Sequence, residues 1–187
     1  MSLAARTYVA LLHHPVYNRE GRVVTTAVTN LDVHDIARAS RTYGLAGYFV
    51  VTPVQLQREL VSEIVGHWTG DYGEANLPRR QAMETVRVVP SLEAAVEQIK
   101  TERGESPLLA ATAARPAEDT VGWRQWKKDC DVMAKPVVLL FGTGWGLADQ
   151  VFEKAQIRLA PIWGPTDYNH LSVRSAVAIA LDRLFGR

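Results

Sequence analysis

The chain has 187 residues, with 21 basic residues against 20 acidic ones, five histidines and a single cysteine. The length suits one domain with an ordinary core, and the balanced charge excludes a global field that would draw the chain to nucleic acid or membrane, so such a partner needs a local patch. The lone Cys130 excludes an intrachain disulfide, a zinc ribbon and a redox cysteine pair.

From the first residue, "MSLAARTYVALLHHP" holds too short an apolar run for a signal peptide, and nothing approaches the roughly 18 apolar residues of a membrane span. A reduced, cytoplasmic protein is the expectation. Short apolar runs then recur: "TYVALL", "GYFVVTP", "VRVVP", "PLLAATAA", "KPVVLLF" and "IRLAPIW". They are continuous rather than alternating, which predicts strands covered on both faces in a parallel α/β sheet flanked by helices.

The first predicted helix covers residues 32 to 43, with Asp32 as cap, Asp35 in its first turn and Gly44 at its end. A second runs from Pro53 toward Trp68, carrying Leu56, Leu60, Ile64 and Val65 on one side. Ser91 caps a third, which stops at Gly104. The last, residues 172 to 185, aligns Val173, Val177, Ala180, Leu181 and Leu184 in one stripe and must pack on something extensive. Residues 67 to 81 and 114 to 123 read as long loops. With no internal repeat, residues 1 to 187 form one α/β domain in this reading.

The stretch "KPVVLLFGTGWGLADQ" empties a predicted strand into a glycine loop. A dinucleotide fingerprint needs G-x-G-x-x-G, and here Gly146 follows Gly142 and Gly144 one place too early. The unit also starts near residue 136, leaving little chain for a nucleotide fold, and no Lys-Ser or Lys-Thr follows as a P-loop requires. What remains is backbone exposed at a strand's carboxyl end, able to read a flat ligand such as adenine, or a tight strand-to-helix turn. A second loop, "APIWGPTDYNHLSVRSA", places Asn169, His170, Ser172 and Ser175 at the mouth of the last helix, where Ser172 also serves as an ordinary cap.

Taken together, "TNLDVHDIARASRTYGLAGYFVVTP", "LLFGTGWGL" and "PIWGPTDYNHLSVRSAVAIALDRL" resemble the SPOUT superfamily of S-adenosylmethionine-dependent RNA methyltransferases, the α/β-knot fold, in its little-characterised bacterial stand-alone branch. The resemblance extends over nearly the whole chain. It implies a C-terminal deep trefoil knot, a homodimer joined by the last helix, and an RNA substrate, tRNA or rRNA. It also implies a bent S-adenosylmethionine between three loops: Thr112 and Ala113 in the first; Gly142, Thr143, Gly144 and Gly146 in the second; and Ile162, Tyr168, His170 and Leu171 in the third, continuing to Ser172 and Ser175.

Methyl transfer from a sulfonium is an in-line displacement in which positioning and, for some acceptors, removal of a proton carry the barrier. It needs neither metal nor covalent nucleophile. In "DVHDIAR" the resemblance places Arg38 at the family's acceptor-side arginine, with Asp32, His34 and Asp35 a turn or less away. The bland alternative is a capped helix start carrying a solvent-facing Asp35–Arg38 pair. Tyr168, Asn169 and His170 stand where ribose-methylating relatives carry Ser-Leu-Asn, which leaves a base nitrogen open as acceptor and keeps Asn169 among the catalytic candidates.

Other constellations point elsewhere. His13 and His14 are adjacent on a predicted strand, a poor chelating pair. Cys130 lies between Asp129 and Asp131, whose charges raise its thiol pKa. Arg79 with Arg80, and Arg124, Lys127 and Lys128 beside Trp123 and Trp126, are the local candidates for nucleic acid, the second cluster taken alone reading first as a solvated helix face. A non-catalytic RNA- or nucleotide-binding module on the same fold is the alternative function.

Overall fold

The computed structural model describes residues 1–186. In chain order it contains β1 (Thr7–Leu12), β2 (Val16–Tyr17), β3 (Val23–Val24), α1 (Asn30–Thr42), β4 (Gly47–Val51), α2 (Gln55–Thr69), α3 (Leu77–Met83) and β5 (Val86–Val89). There follow α4 (Leu92–Arg103), β6 (Leu108–Thr112), β7 (Thr120–Val121), α5 (Trp123–Val132), β8 (Val137–Gly142), α6 (Asp149–Lys154), β9 (Ile157–Leu159) and α7 (Val173–Phe185).

Seven parallel strands lie in the order β5-β4-β1-β8-β6-β9-β7, while β2 and β3 form a separate small ribbon. The period of two along β1 divides the core. Val9 and Leu11 face one side with Val33, Ile36, Trp126, Val177 and Leu181, whereas Tyr8, Ala10 and Leu12 face the other with Leu92, Ala95, Ile99 and Val151. Helices therefore cover both faces, which is why the central strands β1, β4 and β8 read as near-continuous apolar runs.

The register sets the functional edge. Leu12 pairs with Gly142, Ala111 with Leu140, and Thr112 with Leu159. The chain leaving β1, β8, β6 and β9 thus emerges along one carboxyl edge, where open α/β sheets collect their ligands.

Several local expectations change. Thr29, not Asp32, caps α1: its hydroxyl accepts from the Asp32 amide at 3.2 Å and donates to the Asp32 carboxylate at 2.7 Å. This reciprocal arrangement puts Asp32 three residues inside the helix and moves Asp35 beyond the first turn. In α2 the docked stripe is Val61, Ile64, Val65 and Trp68, while Leu56 and Leu60 face outward, so the predicted face is rotated toward solvent.

Residues 67 to 81 are mostly helical rather than a loop. After α2 comes a 3-10 turn, Asp71–Asn76, and then α3, whose cap Asn76 accepts from the Arg79 amide. Gly73 is required there because a β-carbon would lie 1.8 Å from the Trp68 carbonyl oxygen.

The α7 stripe finds its extensive partner inside the chain, since Val177, Ala180, Leu181 and Leu184 are buried among α1, α5 and the sheet. That stripe is therefore not free to join two subunits. Among the described residues no helix is long and apolar enough to cross a membrane.

Candidate functional site

The glycine loop is fastened by its own chain. The Trp145 amide donates to the Tyr17 carbonyl and the Tyr17 amide donates to the Gly146 carbonyl, both at 2.9 Å. A β-carbon on Gly144, at φ +58°, would come within 2.9 Å of the Tyr17 carbonyl oxygen, and one on Gly142 within 2.7 Å of the Leu147 amide. These two glycines permit close approach of protein to protein. Gly146, at φ +106°, is different: its open side meets nothing within 4 Å, so backbone there is approachable by a ligand.

Thr143 ties this loop to the end of β1. Its hydroxyl donates to the Leu12 carbonyl at 3.2 Å and shares a hydrogen bond with Thr26, whose hydroxyl also bonds Nδ1 of the fully buried His13 at 3.1 Å. Burial pushes His13 down to about 4, against the opposing charge of Asp32 and a hydrogen bond with the Ala27 backbone. Its Nε2 has no partner among the described residues. His13 and His14 thus both lie beyond β1, each Nδ1 held by residues 24 to 26.

The other two expected loops meet the same edge. Thr112 donates its hydroxyl across the sheet to the Leu140 carbonyl at 2.9 Å, and Asn169 Nδ2 donates to the Ala114 carbonyl at 2.8 Å. Asn169 therefore joins the first loop to the third. Ala113 continues the first loop from Thr112. Ile162 packs on the core, whereas Tyr168 and Leu171 are exposed, and the Tyr168 and His170 rings meet edge-on at 5.4 Å. Ser172 caps α7 by accepting from the Ser175 amide, and the two hydroxyls are 3.0 Å apart.

On α1 the three candidates separate. Asp32 is buried and Arg174 Nη1 stands 2.8 Å from its Oδ1, while Arg174 Nε is 3.5 Å from Asp35. The Asp35–Arg38 pair of the bland alternative is absent among the described residues, because Asp35 faces the other arginine. Arg38 is exposed and has no carboxylate within ion-pair distance among the described residues. Sequence reasoning missed Arg174, although a cation in the first turn of a helix opposes the macrodipole and signals an acidic partner.

The edge carries groups of the kind a flat adenine needs: the sides of Gly146 and Gly164 are open, and the third loop carries the apolar Ile162 and the exposed Leu171. Among the described residues no group of three His, Cys, Asp or Glu is placed to hold a metal.

The model of a SAM-dependent RNA methyltransferase family matches residues 6–186. A tRNA (guanine-N(1)-)-methyltransferase of Oleidesulfovibrio alaskensis is 45% identical over 180 residues, covering 96% of this chain and 42% of the relative. An uncharacterized protein of Aquifex aeolicus is 38% identical over 181 residues, covering 96% of this chain and 88% of its own length. The chain thus spans less than half of the first relative and most of the second. Among solved structures, the SpoU methyltransferase AviRb from Streptomyces viridochromogenes superposes with a TM-score of 0.60 at 13% identity, covering 96% of this chain and 58% of that one. At that identity the likeness is one of fold.

Proposed function

The chain belongs to the SAM-dependent RNA methyltransferase family, and on that premise we propose that residues 1 to 187 act as one catalytic domain transferring a methyl group from S-adenosylmethionine to RNA. The observation that carries the reading is the convergence of three loops on one sheet edge, with Asn169 joined to Ala114 and the glycine loop held by Tyr17. Bound donor supplies a methyl group on a sulfonium, ready for in-line displacement.

This chain's own residues then divide the work. Gly146, Ile162, Tyr168, His170 and Leu171 line the adenosyl side, and Thr143 and Thr112 hold their loops from behind. Arg38 reaches the acceptor as a cation of α1 with no carboxylate within ion-pair distance among the described residues. Asp32 and Asp35 act through Arg174, positioning α1 against α7 rather than taking a proton, and Asn169 positions the third loop.

tRNA is the first substrate class to test, because the Oleidesulfovibrio relative is named for it. More than half of that relative lies outside the match, so its guanine N1 acceptor is not carried over. The knot and the homodimer belong to the same reading. β8 and β9 lie on either side of the earlier strand β6, and α7 returns to pack on α1, which is compatible with a threaded C-terminus. Exposed Trp145, Trp163, Tyr168 and Leu171 leave apolar surface around the loops for a second subunit or substrate. The cytoplasm is the compartment such a substrate implies.

The test is transfer of labelled methyl to tRNA and rRNA pools, read by nucleoside mass spectrometry. Arg38→Ala should lower transfer by about a hundredfold or more while donor affinity stays near that of the parent. Donor binding without transfer to any pool would leave the non-catalytic module standing instead.

A further inference from the structure

The segment following α2 folds back over one tryptophan. Arg79 places its guanidinium 4.5 Å from the centre of the Trp68 ring. Around that ring stand His34 at 5.8 Å, His67 at 5.1 Å and Tyr72 at 5.8 Å, each nearly perpendicular to it. His67 and Tyr72 lie 4.4 Å apart with their rings tilted by 33°, and Tyr72 is 64% exposed. Gly73 enforces this geometry by bringing the turn against the Trp68 carbonyl.

The charges around this corner are unevenly committed. Arg80 is paired with Glu84 at 3.3 Å and with Glu74 at 4.0 Å, and Asp35 faces Arg174. Among the described residues, Arg79 and Arg38 have no carboxylate within ion-pair distance, and of the acidic residues in the turn only Asp71 is likewise uncommitted. Arg38 lies one helical turn after His34 on α1. His34 packs on the Trp68 ring that Arg79 covers, and burial, then the charge of Arg79, hold it below its ordinary value, with Asp35 opposing and Arg38 adding least.

We infer that this corner, built from Tyr72, His67, Trp68, Arg79 and Arg38, binds unpaired RNA next to the nucleotide being methylated. A base stacks on the exposed Tyr72–His67 pair, and the backbone phosphates lie on Arg79 and Arg38. An exposed flat ring flanked by uncommitted guanidiniums matches single-stranded nucleic acid, whose splayed bases present a π-face and whose phosphates need cations. It corrects the sequence expectation that Arg79 and Arg80 act together, because Arg80 is neutralised in place. Arg38 joins this surface to the acceptor side of the site, so the inference rests on the RNA methyltransferase reading.

The experiment measures anisotropy of a labelled short oligouridylate, and of an RNA duplex of equal length, with the full-length protein, alongside calorimetry with S-adenosylmethionine. Tyr72→Ala should weaken single-strand binding about tenfold, the scale of one lost base stack, with Tyr72→Phe retaining it and duplex binding unchanged. Arg79→Gln should weaken binding and reduce the salt slope by about one. Donor affinity should be unaltered in all three variants. If the parent binds the oligonucleotide and Tyr72→Ala and Arg79→Gln bind it equally well, the inference falls and the methyltransferase reading stands. If the parent binds donor but no RNA of either form, the inference falls, and transfer of labelled methyl to tRNA and rRNA decides the methyltransferase reading separately.

Discussion

Arg174 Nη1 lies 2.8 Å from Asp32 Oδ1, joining the first turn of the last helix to the first turn of α1 across 142 positions of sequence. The same guanidinium reaches Asp35 at 3.5 Å. One arginine therefore answers two carboxylates, relieves its own misfit with the α7 macrodipole, and fixes the helix that presents Arg38.

Arg174→Met leaves the Asp32 carboxylate, only 8% exposed, with Thr29 as its remaining side-chain partner. The expected cost is about 2 kcal/mol, below the range for fully buried pairs because Arg174 is itself partly exposed. Adding Asp32→Asn to that variant should recover much of the loss in urea unfolding. Strict additivity of the two substitutions would show that the pair does not couple the helices.

Gly144→Ala places a β-carbon against the Tyr17 carbonyl oxygen in a left-handed backbone, whereas Gly21→Ala meets the same backbone restriction, at φ +74°, with open space around it. Both should lose about 1–2 kcal/mol from backbone strain alone. Gly144→Ala should lose more and also bind donor more weakly, because the β2 ribbon must move. Equal thermal unfolding and equal donor affinity for the two variants would refute the clamp.

His13 supplies a pH dependence. Its folded value of about 4 lies below the 6.5 of an unperturbed imidazole, so between those values the unfolded chain binds the extra proton. The stabilisation is complete above about pH 6.5 and is lost as pH falls toward 4, by at most about 3 kcal/mol. His13→Asn should flatten this part of the stability curve. An unchanged slope in urea unfolding across that window would remove His13 as its source.

How much of this was legible in the sequence follows from local physics. The strands were readable because burial on both faces leaves continuous apolar runs, and Ser91, Gly104 and Ser172 mark helix ends by their own chemistry. The turn over Trp68 was misread because Gly70, Gly73 and Pro78 look like loop residues, when Gly73 marks a close approach and Pro78 sits in the first turn of α3. The phase of α2 was misread because Leu56 and Leu60 are as apolar as the residues that dock. "GTGWG" departs from the spacing of phosphate loops, yet the partner of its middle glycine, Tyr17, lies in a ribbon of two-residue strands too short to show periodicity. Cys130 is held up to about 12 by burial first, with Asp129 and Asp131 adding less, so the expected direction was right and its main cause was tertiary.

The central claim is that the three loops form a methyl-donor site. Isothermal calorimetry of the full-length protein with S-adenosylmethionine, and separately with its demethylated product, tests it most directly. Saturable binding of both to the same site is expected, each displacing the other. A folded protein that binds neither would contradict it.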